Sequence, residues 1–501
     1  MKKVPIFYNA LMLTGVNLLL RFASTSFQVF ISGRIGAAGV GLLQLVLSVG
    51  SMTLTAGMAG VRTACMYLTA EELGRGRSKN VTWVLSGCIL YSVLCSSMVG
   101  TAVYGLAPRI AEMWIGDSRT IGAIRLLGAF LPVSCMVGVM VGYFTAANRI
   151  ATLAAVEVAE QICSMLATAT ALVFWAGDDS GRACQAVVLG SCAGSLLTLS
   201  CLAVLRLWER AGTGKRIPVA KRLTNIALPL ALADDLKVGI NTVENLMVPK
   251  RLSLFTADAL AQFGMVGGMV FPVLMFPAAI LYGLADLLIP ELARCNAAGS
   301  GIRIRYLTRR SLRVALLYGV GCGGVLFLLS DVLCLWLYKS PAAGAYLRAY
   351  AVLAPMLYSD AVIDAINKGL GLQKICVRIN IFTALLDVAG LYILLPQFGM
   401  WGYFVSFFLS HLINAGMSLR LLLRNTGLRI PARLPVLTVG VMLAAVLLAQ
   451  KLVSPLLKTG IFFLLVYSML WLLDVICKED LTWLRSLLQF EKNPDKMKNS
   501  I

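Results

Sequence analysis

The stretch "FYNALMLTGVNLLLRFASTSFQVFI" (residues 7–31) carries a single charged side chain, Arg21, near its middle. A helix of this length rises about 37 Å, enough to cross the roughly 30 Å hydrocarbon core of a bilayer. It is too long for the apolar core of a signal peptide and lacks a small-residue cleavage site, so it reads as a retained first span.

Comparable runs recur along the whole chain of 501 residues, of which 59% are hydrophobic and 14% charged. The mean hydropathy is +0.82, whereas an ordinary soluble domain has about 25% charged residues. The sequence therefore predicts an all-α polytopic membrane protein with about fourteen spans and no large soluble domain. The formal net charge of +20 does not indicate nucleic acid here, because in a membrane chain the placement of Lys and Arg matters more than their sum. With the N-terminus inside, 30 of the 44 Lys and Arg fall in or beside cytoplasmic segments, 11 fall outside, and Arg21, Arg62 and Lys237 lie within spans. That asymmetry predicts an even number of spans with both termini cytoplasmic. The 13 cysteines are scattered singly, without a CxxC pair, and read as small buried hydrophobes.

The long basic loop divides the chain. Residues 1–207 form an N-lobe of six spans, 208–222 a cytoplasmic inter-lobe loop, 223–424 a C-lobe of six spans, 425–477 two further spans, and 478–501 a cytoplasmic tail. Arg34 and Arg251 lie 217 residues apart, and Asn148 and Asn367 lie 219 apart, each pair at corresponding ends of spans. These offsets suggest two copies of a six-helix unit in the same orientation, a parallel pseudo-repeat.

An ionisable residue at bilayer depth costs at least about 2.5 kcal/mol and normally faces the bundle interior, a partner or water. At 100° per residue, Thr14, Asn17, Arg21, Ser24 and Gln28 share a face of the first span, and Gln44, Ser48, Ser51, Thr55 and Arg62 a face of the second. In the seventh, Asp234, Lys237, Asn241, Glu244 and Asn245 do the same beyond Pro229, where a kink is expected. Glu157, Glu160 and Gln161 mark span 5, Asp286 span 8, Asp387 span 11, and His411 with Asn414 span 12. In span 10, Asp360, Asp364 and Lys368 form one row, with Asp364 and Lys368 read as a structural ion pair. Spans 1 and 2 hold no acid one turn from their arginines, so an external anion is the natural partner of Arg21 and Arg62. Asp178 and Asp179 in "GDDSGR" (177–182) read as a solvated turn.

The segments "IALPLALADDLKVGINTVENLMVPKRL" (226–252) and "FGMVGGMVFPVLMFPAAILYGLADLLIPELA" (263–293) resemble spans 7 and 8 of the stage V sporulation protein B group. That group belongs to the multidrug/oligosaccharidyl-lipid/polysaccharide (MOP) exporter superfamily, related to lipid II and O-antigen-type flippases. "GRIGAAGVGLLQL" (33–45), "INKGLGLQ" (366–373) and "LPQFGMWGYFVS" (395–406) extend the resemblance over nearly the whole chain. The family pattern has a basic residue one turn after the Glu-Gln of span 5, where this chain has Ser164, so Glu160 lacks that partner.

The resemblance implies a MATE-like fold of two lobes plus two C-terminal helices, and an alternating-access flippase or exporter for lipid-linked oligosaccharides or peptidoglycan precursors of the polyprenyl-pyrophosphate type. Such a protein would serve cell-wall, spore-cortex or polysaccharide synthesis in the bacterial cytoplasmic membrane, beside the enzymes of that synthesis. Arg21, Arg62 and Lys237, with Asn17, Gln28, Gln44 and Asn241, are the expected headgroup contacts. Asp234, Glu244, Asp360 and Glu160 are candidates for H⁺ or Na⁺ coupling, with no other cofactor expected, and Pro229, Pro272 and Pro277 are candidate flex points. The alternative is a cation-coupled multidrug antiporter of the same fold. A membrane-embedded glycosyl- or acyltransferase ranks below both, since the loops carry no catalytic carboxylate set and no nucleotide or metal motif.

Overall fold

The computed structural model describes residues 6–472 apart from 76, 178, 209–218, 429–432 and 453. The side chains of Asn17 and Asp286, residue Asp178, most of the 208–222 loop and the tail at 478–501 lie outside the described residues. Within them the chain is helical throughout and contains no strand.

The first helix, α1 (Ile6–Met58), contains 53 residues, about 80 Å of helix, long enough for two crossings. The expected outer loop is only a corner at Gly36, where φ is 67° and ψ 177°, a backbone region that glycine enters without steric cost. A second interruption follows at Ala59 (φ 43°) and Gly60 (φ 71°), and α2 (Val61–Gly74) begins there. Sequence periodicity had carried span 2 through this point unbroken.

The next helices are α3 (Val81–Arg109), α4 (Ile121–Ala146), α5 (Ile150–Ala171) and α6 (Ser180–Trp208). On α3 the exposed residues include Leu90, Leu94 and Met98, and the buried ones include Cys88, Ser92 and Ser96. This inverts the soluble pattern, as expected where lipid is the solvent and small residues mediate helix packing. Continuing, α7 (Val219–Leu252) is followed by α8 (Ala259–Met265), α9 (Phe271–Met275) and α10 (Ala278–Ala297). Pro229 leaves α7 uninterrupted: buried Leu223, Ala227 and Ala231 pin both sides of the proline, so the lost hydrogen bond does not open the helix. Pro277, by contrast, stands in the break between α9 and α10.

The remaining helices are α11 (Gly301–Tyr338), α12 (Pro341–Ala351), α13 (Ala354–Gly369), α14 (Gln373–Phe398), α15 (Met400–Thr426), α16 (Arg433–Ala449) and α17 (Pro455–Leu472). Among the described residues, eight helices are long and apolar enough to cross a membrane, ten if each bent pair counts as one span, and α16 and α17 are shorter apolar helices. With α1 long enough to cross twice, fourteen spans are compatible with this arrangement.

Contacts divide the chain into two compact units. The first comprises the described residues of Met1–Gly283, Leu337–Lys339 and Lys374–Asn414. In it α3 packs on α4, α5 on α6, and α1 on both α7 and α8. A buried apolar cluster around Val61, Cys65, Leu68, Val84, Phe144 and Leu202 also takes in Val219, Leu223 and Ala227 of α7. The second unit comprises the described residues of Leu284–Trp336, Ser340–Gln373 and Ala415–Ile501. Its core joins Val320 of α11 to Met442 and Val446 of α16 and Phe462 of α17. The two asparagines of the suspected repeat differ locally: Asn148 has φ 58° in the turn after α4, whereas Asn367 is buried within α13 and donates to the Ser418 carbonyl at 3.1 Å.

In the first unit α1 and α8 meet through glycine. A Cβ on Gly264 would collide with the backbone of Ala37 and Gly41, while one on nearby Gly267 would meet nothing within 4 Å. Gly264→Val is therefore expected to destabilise the protein by about 1–3 kcal/mol through overpacking. Gly267→Val tests the attribution and should leave thermal unfolding of the purified protein in detergent unchanged.

Candidate functional site

Among the described residues of the first unit, two polar chambers bring candidate residues together. The larger is a cavity of about 430 Å³ between the second half of α1 and helices α2, α4, α5 and α6. Its walls are largely leucine, valine and methionine, with Ser51, Ser134, Ser191, Ser195 and Thr198 interspersed, and three charged groups face it: Arg62, Glu157 and Glu160. Arg62 stands in the first turn of α2, directly after the Ala59–Gly60 interruption. The break ends one helix and starts another beside the cavity, a broken-span arrangement of the kind that lines binding sites in transporters. Close packing holds this turn in place, since a Cβ on Gly142 of α4 would strike the Arg62 backbone.

Thr198 donates a hydrogen bond to Glu160 Oε2 at 2.8 Å. With Ser164 in place of a basic side chain, the described partner of Glu160 is thus a hydroxyl on the neighbouring helix. Neither Arg62 nor Arg21 forms an ion pair among the described residues. The Arg21 guanidinium lies 5.2 Å from the centre of the Tyr282 ring, a cation–π placement that leaves its hydrogen-bond donors available to an anion.

The second chamber, about 170 Å³, is lined by Asn241 and Glu244 of α7, Asn380, Thr383 and Asp387 of α14, and Ser410, His411 and Asn414 of α15. Asp387 is buried and its Oδ1 accepts a hydrogen bond from Ser406 at 2.6 Å. The Asn414 amide donates to Asn380 Oδ1 at 3.0 Å and to Thr383 Oγ1 at 3.1 Å. His411 Nδ1 lies 2.9 Å from the Phe407 carbonyl; a carbonyl only accepts, so Nδ1 carries the proton and Nε2 is the acceptor in the neutral ring. The ring stacks on Phe407 with centroids 3.9 Å apart. Two carboxylates among amide and hydroxyl oxygens form a donor set suited to a proton or a hard cation rather than a thiophilic metal.

The candidate residues thus separate. Arg62 and Glu160 share the larger chamber, and Asn241 and Glu244 the smaller. Gln28 donates to the Gly268 carbonyl at 3.4 Å, and the carbonyl of Gln44 accepts from Ser48 at 2.9 Å, but neither lines a chamber. Lys237 and Asp234 are exposed along α7. Asp360, in the second unit, has a buried Oδ1 without a hydrogen-bond partner among the described residues. Near it Lys368 and Asp364 form the expected ion pair at 2.6 Å. Thr198 and Asn380 were not singled out from the sequence, while Glu157 and Asp387 were noted as polar residues of spans 5 and 11 but not placed among the headgroup contacts or coupling candidates. The i, i+3 spacing of Glu157 with Glu160 and the i, i+7 spacing of Asn380 with Asp387 are the signals that would have placed them on one face.

No protein-family model matches the sequence. The chain is 23% identical over 420 residues to stage V sporulation protein B of Bacillus subtilis (strain 168), covering 80% of each protein. Among solved structures it is similar to the lipid II flippase MurJ in an inward closed conformation, with a TM-score of 0.69 at 12% identity over 93% of this chain and 100% of that one. It is also similar to an inward-facing multidrug resistance MATE family transporter of the MOP superfamily, with a TM-score of 0.67 at 12% identity over 83% of this chain and 98% of that one. By sequence the chain is thus similar to the stage V sporulation protein B group, and its fold is that of the MOP-superfamily transporters.

Proposed function

We propose that this protein is an alternating-access flippase or exporter moving a lipid-linked oligosaccharide or peptidoglycan precursor across the bacterial cytoplasmic membrane without transforming it. One observation carries the reading: the guanidinium groups of Arg21 on α1 and Arg62 on α2 form no ion pair among the described residues, and Arg62 faces a chamber. Arginine suits a pyrophosphate because its planar fork donates two parallel hydrogen bonds. The similarity to stage V sporulation protein B and to the lipid II flippase fold supports this substrate class. The predominance of Lys and Arg in the expected inner segments supports cytoplasmic termini, and the enzymes that make and use the carrier lipid are the natural partners.

The test is translocation of a labelled polyprenyl-pyrophosphate saccharide in proteoliposomes. The label should become inaccessible to an external quencher or enzyme only in vesicles containing the protein. A second reading, the cation-coupled multidrug antiporter, draws support from Glu157 and Glu160, two carboxylates facing the same chamber as one arginine. Exchange of a cationic dye with no movement of the lipid precursor would replace the first reading with the second.

The Glu244–Asp387 chamber is the proposed site of H⁺ or Na⁺ coupling. The double variant Glu244→Gln and Asp387→Asn keeps the side-chain volumes and removes both charges. Transport by it should lose its dependence on a proton or sodium gradient, while thermal stabilisation by the precursor persists. A gradient response equal to that of the unaltered protein would remove the chamber from the cycle.

A further inference from the structure

The helix α11 contains 38 residues, about 57 Å of rise, whereas the hydrocarbon core is about 30 Å thick. Residues 314–338 suffice to fill that core, so 301–313 project through the headgroup layer. In this projecting part stand Arg303, Arg305, Arg309, Arg310 and Arg313. Ile304, Thr308 and Ser311 on one side are buried. At 100° per residue, Ile302, Arg305, Tyr306, Arg309 and Arg313 occupy the other side within an arc of about 100°. Ile302 is 79% exposed and Tyr306 54%; Arg305 and Arg309 are exposed as well.

The arginines of this segment are not equivalent. Arg303 pairs with Glu291 at 2.7 Å, which also holds Arg294 at 3.3 Å. Arg310 donates to the Tyr306 hydroxyl at 2.7 Å. Arg305 and Arg309 have neither an ion pair nor a side-chain hydrogen bond among the described residues. An exposed isoleucine and tyrosine interleaved with two free guanidinium groups, on a helix continuous with a span, match the boundary where acyl chains meet phosphate: the aromatic and aliphatic groups suit the apolar side and the arginines the anionic side.

We infer that the projecting end of α11 is a docking surface for the headgroups of anionic phospholipids in the surrounding bilayer. The inference depends on the membrane-spanning fold and not on the transported substrate. An acidic protein would satisfy the charges but gives no reason for Ile302 and Tyr306 to stand exposed between them.

The test uses the full chain in nanodiscs of equal parts phosphatidylglycerol and phosphatidylcholine, followed by native mass spectrometry of retained lipid. The unaltered protein should retain phosphatidylglycerol preferentially. The variant Arg305→Gln with Arg309→Gln should lose that preference by up to about thirtyfold, from roughly fivefold per juxtamembrane arginine. Arg109→Gln with Arg182→Gln removes the same charge at two other exposed positions and should leave the preference intact. Arg305→Lys with Arg309→Lys should keep most of it, showing that the site survives substitution. Equal retention of the two lipids by the unaltered protein would overturn the inference in favour of an acidic protein partner, and equal loss in both glutamine pairs would overturn it in favour of net charge alone.

Discussion

Replacing Arg21 and Arg62 together by alanine is expected to abolish translocation of the lipid-linked precursor while folded protein still accumulates in the membrane. A hydrogen bond to a charged group contributes about 1.5–3 kcal/mol, so losing two such donors from a bound pyrophosphate removes about 3–6 kcal/mol, roughly two to four orders of magnitude in affinity. The stability cost is far smaller. Neither guanidinium forms a close ion pair among the described residues, Arg62 acting on Glu157 only across the chamber, and the Arg21 contact with the Tyr282 ring at 5.2 Å contributes about 0.5–1 kcal/mol. Lysine at both positions keeps the charge but not the fork, so partial transport should remain. The measurement is quencher-protected label in proteoliposomes, normalised to the amount of monodisperse protein. Normal transport by the alanine pair would reject the headgroup role, and aggregation of the alanine pair but not the lysine pair would mean that the arginines are structural.

The extent to which this architecture is legible in the sequence follows from what periodicity encodes. Helix existence and the polar faces of spans 1, 2 and 7 come from spacing along one helix, because 100° per residue fixes which residues share a face. Which other helix that face meets is not in the spacing. Arg62 and Glu160 are almost 100 residues apart, and only the arrangement of α1, α2, α4, α5 and α6 around one cavity brings them to the same chamber. The same holds for Glu244, Asp387 and His411, each individually conspicuous but joined by three separate helices. The break before Arg62 was legible only in part: "AGMAGV" (56–61) contains two glycines, yet glycine is common in membrane helices, and Ala59 gives no sign of its left-handed backbone. Pro229 misleads in the opposite direction, since the packing around it outweighs its intrinsic tendency to interrupt a helix.

The loops assigned to the cytoplasmic side concealed an ion-pair cluster between α2 and α7. Arg222 Nη2 lies 2.6 Å from Glu71 Oε2 and its Nη1 lies 3.3 Å from Glu72 Oε1. The Glu72 side chain is 1% exposed, and Asn80 donates to its Oε2 at 3.1 Å. Arg75 holds the other oxygen of Glu71 at 2.6 Å. Because Glu71 is partly solvated and already paired, loss of Arg222 falls mainly on Glu72, which would keep its charge with a single amide donor. Breaking a buried pair costs about 3–5 kcal/mol, but Arg222 is 36% exposed and the charge of Arg77 also favours ionised Glu72, so Arg222→Met is expected to cost about 1–3 kcal/mol. Adding Glu72→Gln to that variant removes the unpaired charge while retaining an acceptor for Asn80, so most of the loss should be recovered. Thermal unfolding of the single and double variants measures this directly, and equal destabilisation of the two would show that the cost lies in the packing of the arginine stem.

Alternating access gives the same contact a second consequence. If the proposed lobes rock apart, the first turn of α7 must leave α2, and the Arg222–Glu72 pair is what that motion separates. The recovered double variant should therefore open more readily than the unaltered protein at similar stability. A cysteine placed at Val219, buried against the α2–α3 cluster, reports the motion by its rate of thiol labelling, provided the chain's own cysteines are first replaced. Faster labelling in Arg222→Met with Glu72→Gln is the expected result; an unchanged rate would assign the pair to stability alone and place the moving boundary elsewhere.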